Sequence, residues 1–135
     1  MFCLDTNAVI GVLSERNPRL AERFDVEIGR GTTILLSTIV LYEMRYGVAK
    51  SARPDRNLAV LANFLLFPVS IVAFDADDAA EAGDIRAGLA KSGTPIGPYD
   101  VLIAAQARRR GAALVTLNRR EFERVPGLIV TDWAA

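Results

Sequence analysis

Three carboxylates stand out for where they fall in the chain. Asp5 directly follows the apolar run Phe2-Cys3-Leu4. Glu43 lies one turn beyond Ser37-Thr38, which closes a second apolar run, and Asp100 heads the segment Val101-Leu102-Ile103-Ala104-Ala105. A polar residue, Asn118, follows a further apolar run in the same way, in Thr116-Leu117-Asn118. The chain has no histidine and one cysteine, so a metal bound by these side chains would meet only hard oxygen donors, which select Mg²⁺ or Mn²⁺ over zinc or copper. Such a site suits phosphodiester cleavage, in which the ion activates water and neutralises charge that builds up around phosphorus. The missing histidine excludes Ser-His-Asp catalysis, histidine zinc sites and imidazole acid/base nuclease chemistry.

Each acid also has a plainer reading. Asp5 and Asp100 could serve only as helix N-caps, because a carboxylate there accepts otherwise unpaired backbone N–H groups. Glu43 could sit on the solvent face of a helix, but Ile39, Tyr46 and Gly47 share its side at helical spacing. For Asp5 the position argues further: a carboxylate at the end of a central apolar strand must be solvated, paired or metal-bound, since an unpaired buried charge is costly.

The elements that must position these residues are legible in the pattern. Short apolar runs at Met1–Leu4, Thr32–Leu36, Val69–Ala73, Ala113–Thr116 and Leu128–Val130 read as strands of a buried parallel sheet. Between them the spacing predicts helices over Thr6–Ser14, Pro18–Arg30, Ile39–Lys50, Asp55–Phe67, Asp75–Ser92, Asp100–Arg110 and a short one at Arg119–Phe122. Alternating strands and helices with short connections predict an α/β/α three-layer sandwich with a central, mainly parallel sheet. In such sheets ligands bind beyond the carboxyl ends of the strands, so Asp5, Glu43, Asp100 and Asn118 can converge from four separate segments. At 135 residues and 51% hydrophobic composition the chain is expected to form a single domain, residues 1–135.

The order and spacing of four motifs carry a resemblance that spans nearly the whole chain: Leu4-Asp5-Thr6-Asn7, Tyr42-Glu43-Met44-Arg45-Tyr46-Gly47, the stretch from Ile96 to Ala105, and the stretch from Val115 to Leu128. Together they resemble the PIN-domain ribonucleases, specifically the VapC-type toxins of bacterial toxin–antitoxin pairs. The resemblance implies a Mg²⁺-dependent endoribonuclease that cuts single-stranded or loop RNA, such as part of a tRNA, and is neutralised by a VapB-like antitoxin. It implies Asp5, Glu43 and Asp100 as the acidic triad, Asp5 and Asp100 as direct metal ligands, and Thr6 and Asn118 as polar members of the pocket. Many PIN domains carry a fourth acid where this chain has Asn118. Glu121, three residues on, is the nearby carboxylate, and reads equally as part of the site or as a partner of the surrounding arginines.

Sixteen basic residues balance sixteen acidic ones, which removes an overall basic field and makes any polyanion site local. Arg119, Arg120 and Arg124 could form such a phosphate-binding face with Arg108-Arg109-Arg110, unless the triplet only complements the dipole at the end of its helix. The run Asp75-Ala76-Asp77-Asp78 reads as charge at a helix start. Tyr42, Tyr46 and Trp133 read as packing, with base stacking as the other possibility. The uncharged stretch from Leu58 to Phe74 is split by Pro68 and reads as a helix followed by a strand, not a membrane span. Two apolar stripes on its helix, Leu58-Leu61-Leu65-Leu66 and Val60-Phe64-Phe67, suggest a homodimer, with higher assembly in an antitoxin complex. One cysteine and no visible secretory signal point to the cytoplasm. The rival readings are a phosphoacceptor signalling domain, which would want a lysine that Thr116–Arg120 lacks, and a PIN scaffold without catalysis.

Overall fold

The computed structural model describes residues 1–135. Five strands, β1 (Phe2–Leu4), β2 (Ile34–Ser37), β3 (Ser70–Val72), β4 (Ala113–Val115) and β5 (Val130–Thr131), form one sheet in the order β3-β2-β1-β4-β5, with every pairing parallel. Parallel neighbours need crossover connections. These are supplied by helices α1 (Thr6–Leu13), α2 (Pro18–Gly29), α3 (Thr38–Lys50), α4 (Pro54–Phe64), α5 (Ala76–Lys91), α6 (Pro98–Arg110) and α7 (Arg119–Phe122). The result is the α/β/α sandwich expected from the sequence.

The central strand is β1, with Phe2 in register with Ile34 on one side and Ala113 on the other. Burial from both faces explains why the strands read as continuous apolar runs without alternation. Leu4, Ile34, Leu36 and Leu114 are essentially sealed, with Phe24, Phe64, Ile103 and Phe122 packed from the helices. Cys3 is buried among them. Burial pushes its thiol up to about 12, that of an unreactive structural cysteine.

The chain steps outward from β1 to β2 and β3, then returns to the other side of β1 for β4 and β5. That reversal places the sheet's switch point between β1 and β4, where a crevice opens at the carboxyl ends. Asp5 and Thr116 are the residues that leave the sheet there, held together by the Asp5 N–H donating to the Val115 carbonyl at 3.1 Å.

Polar contacts clamp α5 to α6. Asp75 caps α5 in a reciprocal box with Asp78, its carboxylate accepting the Asp78 N–H at 2.8 Å while Asp78 accepts the Asp75 N–H at 3.1 Å. The sealed Asp78 carboxylate also accepts from Arg109 at 2.6 Å and from Arg110 at 2.8 Å. Arg108 donates to Glu81 at 2.6 Å and to the Pro126 carbonyl at 3.0 Å. The Arg108–Arg110 triplet is therefore committed to α5 and the following loop and forms no free phosphate-binding face. The network runs on through Gln106, whose amide donates to Asp78 at 3.2 Å and whose carbonyl accepts from the Ser37 hydroxyl. Ser37 in turn caps α3 by accepting the Ile39 N–H at 2.9 Å.

Several boundaries lie one to three residues from the sequence reading, and two of the shifts have a visible cause. The last strand begins at Val130, not Leu128, because Gly127 in the left-handed region (φ +77°) keeps the chain turning and Leu128 N–H still closes onto Val125. α4 stops at Phe64 because Leu66 and Phe67 tighten into i→i−3 turns ahead of Pro68, whose ring disfavours helix at the preceding residue. No helix is long and apolar enough to cross a membrane.

Candidate active site

Asp5 leaves β1 in an extended conformation (φ −80°, ψ 175°) and caps α1, its carboxylate accepting the Ala8 N–H at 2.8 Å. The capping reading was correct as far as it went. The side chain is 4% exposed, and loss of water raises its proton affinity above the ordinary carboxylate range. The Thr116 hydroxyl and the Ala8 N–H pull the other way, while Glu43 and Glu121 push it further up.

Glu43 projects from the second turn of α3 toward the start of α1, where the Thr6 hydroxyl donates to its Oε1 at 2.7 Å. Asp100 stands in the first turn of α6. Burial pushes its carboxyl up to about 7, assisted by the charge of Glu121 and a hydrogen bond to it, then by Asp5 and Glu43. Near neutral pH this group therefore carries a proton for part of the time and bridges toward Glu121.

Glu121 belongs to this cluster. It lies on the single turn of α7, its Oε1 accepting the Gly97 N–H at 2.8 Å and its Oε2 accepting the Asn118 amide at 2.6 Å. The reading of Glu121 as an arginine partner does not fit these contacts: Asn118 orients Glu121 from within the pocket, and the α7 arginine that forms an ion pair, Arg119, takes Glu123 at 3.2 Å. Arg120 is exposed beside it. Gly97 makes room for the acids, since a Cβ there would stand 2.8 Å from Asp100 Oδ2 and 3.6 Å from Glu121 Oε1.

The structure thus brings Asp5, Thr6, Glu43 and Asp100 together and adds three residues the sequence reading did not commit to: Glu121, Gly97 and the buried Thr116. Their signals were local ones. Glu121 is one helical turn beyond Asn118, and Gly97 precedes the proline that opens α6.

No ion pair involves Asp5, Glu43, Asp100 or Glu121. Four carboxylates converging without a cation repel, and that repulsion adds to burial in raising the proton affinity of Asp5 and Asp100. No three of them stand at the spacing of a finished coordination sphere. Oxygen donors alone, excess negative charge and a neutralising proton are the chemistry of a seat for a hard divalent cation.

Three tyrosines on α3 and α6 are exposed. Tyr42 immediately precedes Glu43 and Tyr99 immediately precedes Asp100; their hydroxyls lie 3.5 Å apart and their ring centroids 5.6 Å. Tyr46 follows one turn along α3. Trp133, by contrast, is packing: it is buried with its ring edge-on to Phe2 at 5.0 Å and covered by Arg23. On the opposite side of α3 a groove of about 740 Å³ opens between α1, α3 and α4, lined by Ile10, Leu13, Met44, Val48, Val60 and Leu61, with Glu43 at its edge.

The sequence model of the PIN domain matches residues 2–128. The chain is 43% identical to the tRNA(fMet)-specific endonuclease VapC of Salmonella typhimurium over 98% of its own length and 97% of that protein's. It superposes with a TM-score of 0.91 on a chain of VapBC2 from Rickettsia felis, bound to a DNA fragment from their promoter, at 34% identity and 98% coverage of both chains. DNA-bound VapBC from Salmonella typhimurium gives 0.89 at 43% identity, with 98% of this chain and 97% of that one covered.

Proposed function

This chain belongs to the PIN domain family and, within it, to the VapC-type ribonuclease toxins of VapBC toxin–antitoxin pairs, and from that premise we propose a Mg²⁺-dependent endoribonuclease acting on unpaired RNA, with a tRNA loop as its target. The observation that carries this reading is the convergence of Asp5, Glu43, Asp100 and Glu121 at the switch point of the sheet, with no cationic side chain among them. The name of the Salmonella relative supports a tRNA as substrate.

In this reading Asp5 and Asp100 hold the ion, with Mn²⁺ as an alternative to Mg²⁺. Bound metal would supply positive charge against the scissile phosphate and make water more acidic. The chain's own residues do the positioning. Thr6 holds Glu43 by its Oε1, leaving Oε2 free to accept a proton from water. Gly97 and Asn118 hold both oxygens of Glu121, so its charge stays beside Asp100, where it raises that carboxyl's affinity for its proton and adds to the negative potential a bound cation would meet. Thr116 and Ala8 N–H hold Asp5 in place. Arg119 and Arg120, exposed on α7, are assigned to the RNA backbone.

The partner is a VapB-like antitoxin whose apolar helix fills the groove between α1, α3 and α4 and whose following arginine or lysine reaches past Glu43 into the acids. The chain is further proposed to form a homodimer and to assemble further with antitoxin. Leu61 and Phe64 of α4 are used within the protomer and Val60 lines the antitoxin groove, whereas Leu58, Leu66 and Phe67 stay exposed and are available to a second copy.

Purified protein incubated with total tRNA is expected to give discrete fragments with Mg²⁺ and none with EDTA. Asp5→Ala and Asp100→Ala should each remove the fragments while circular dichroism stays native. Cleavage that persists in either variant across a Mg²⁺ titration overturns the assignment of the site.

A further inference from the structure

The exposed side of α3 mixes aromatic rings with cations. Tyr42, Arg45, Tyr46, Ala49 and Lys50 recur at i, i+3, i+4, i+7 and i+8, which places them on one stripe. Every one of them is exposed, Tyr42 by 53% and Tyr46 by 60%. An amphipathic helix in a layered fold needs only polar residues on that side. Here it carries two aromatic rings and two cations, and neither Arg45 nor Lys50 has an acidic partner; Lys50 lies over the Tyr46 ring at 4.8 Å. Tyr99, 44% exposed, comes from α6 to meet Tyr42.

We infer that the Tyr42–Tyr99 pair, continued along α3 by Arg45, Tyr46 and Lys50, is a stacking track for unpaired nucleotides of the RNA that leads into the acidic cluster. The inference rests on the ribonuclease reading and names how that substrate is held. Tyr42 and Tyr99 touch at their hydroxyl ends with planes tilted by 59°, so the rings do not stack on one another and ring face remains open to a base. Each is the chain neighbour of a site carboxylate, Glu43 and Asp100 respectively, so the pair bridges α3 and α6 one residue from the acids. An extended single strand with one base on this pair has its backbone beside the acids and its next nucleotides over Tyr46, Arg45 and Lys50. Aromatic faces spaced among cations are the composition of sequence-tolerant single-strand binding, and base-paired RNA, whose faces are covered, cannot use them. The track thereby selects for loops. The antitoxin groove lies on the other side of the same helix, around Met44 and Val48.

The test uses the full chain and a short unstructured oligoribonucleotide with 2-aminopurine placed at each position in turn, since stacking quenches that base. In EDTA, where no cleavage occurs, the wild type is expected to quench at one position or two adjacent ones. Tyr42→Ala and Tyr99→Ala should abolish that quench and raise Kd about tenfold each, and Tyr42→Phe with Tyr99→Phe should recover both because a phenyl face stacks as a phenol does. Arg45→Ala and Lys50→Ala should each lower the salt dependence of log Kd by about one phosphate contact. With Mg²⁺ the alanine variants should raise KM and leave kcat nearly intact.

Unchanged quench, Kd and KM in the tyrosine variants would overturn the track. So would variants that alter only sedimentation or antitoxin affinity, which would make the stripe a protein contact. The two readings fail separately. A wild type that quenches in EDTA and cuts nothing with Mg²⁺ refutes the nuclease and keeps the track; one that cuts with the same KM as its alanine variants keeps the nuclease and refutes the track.

Discussion

A Cβ placed on Gly97 would lie 2.8 Å from Asp100 Oδ2, a separation that real Cβ atoms do not adopt. The glycine is thus part of the acidic cluster although it contributes no side chain. Its backbone N–H holds Glu121 while its missing Cβ leaves space for Asp100. Because the obstructing atom ends a side chain, Gly97→Ala should fold and swing the Asp100 carboxylate aside. The expected result is an unfolding midpoint within a few degrees of wild type and a loss of RNA cleavage on the order of 10²-fold, as misplacement of a reacting group produces. Cleavage assays beside thermal melts check it.

The raised affinity of Asp100 for its proton makes the metal-free protein less stable as pH rises. A carboxyl whose folded value is about 7, above its unfolded value, contributes stability that is fully present at acid pH and is lost as pH climbs through 7. Asp100→Asn removes the charge that appears over that interval. In EDTA the variant should gain midpoint temperature over wild type at pH 8.5, gain about half as much at pH 5.5, and gain little at pH 3.5, below the unfolded value. Equal gains at pH 8.5 and pH 3.5 would show that the carboxyl is not strained by its neighbours.

Glu121 accepts two hydrogen bonds and carries a charge, and the two roles separate on substitution. Glu121→Gln keeps an acceptor for the Gly97 N–H while removing the negative charge beside Asp100. If the charge helps to hold a cation, the Mg²⁺ concentration for half-maximal cleavage rises several-fold. A purely structural Glu121 predicts an unchanged Mg²⁺ curve with a lower melting temperature.

Asp78 joins α5 to α6 and, through Gln106, to the start of α3. Its replacement by alanine leaves Arg109, Arg110 and Gln106 partly buried without their common acceptor, which should cost about 3 kcal/mol in urea unfolding. Its arginine partners hold the Asp78 carboxyl well below the usual carboxylate range, so the stability it confers is present above about pH 4 and fades as pH falls through its folded value. The variant should therefore show a shallower loss of stability on acidification than wild type.

Inhibition by antitoxin should follow the same electrostatics. A guanidinium set between Asp5 and Asp100 gains paired, charge-assisted hydrogen bonds from oxygens that otherwise repel. Replacing the inserted arginine or lysine by alanine should weaken inhibition while the helix still binds, and raised Mg²⁺ should partly restore cleavage in the wild-type complex. A complex that cleaves RNA fully with its acids open and metal-bound would refute this competition.

Much of the fold is legible in the order of the residues. Residues at element ends are set by local order: an apolar run long enough for one strand followed at once by an acid puts that acid at the sheet edge, which singles out Asp5, while Asp100 is singled out at the head of an apolar helix and Glu43 by the helix face it shares. The same local logic recognised Asp75 and Asp78 as a helix start. What spacing does not encode is which side chains meet across the fold. Glu121 joins the acids through Gly97, 24 residues away. Arg109 leaves the candidate phosphate face for Asp78, 31 residues away. Tyr42 escapes the core to meet Tyr99, 57 residues away. Those partnerships are decided by how α3, α6 and α7 pack around the switch point. A charge or a ring takes whichever neighbour packing supplies, and the energy of that choice, unlike helix or strand periodicity, is not written in the order of adjacent residues.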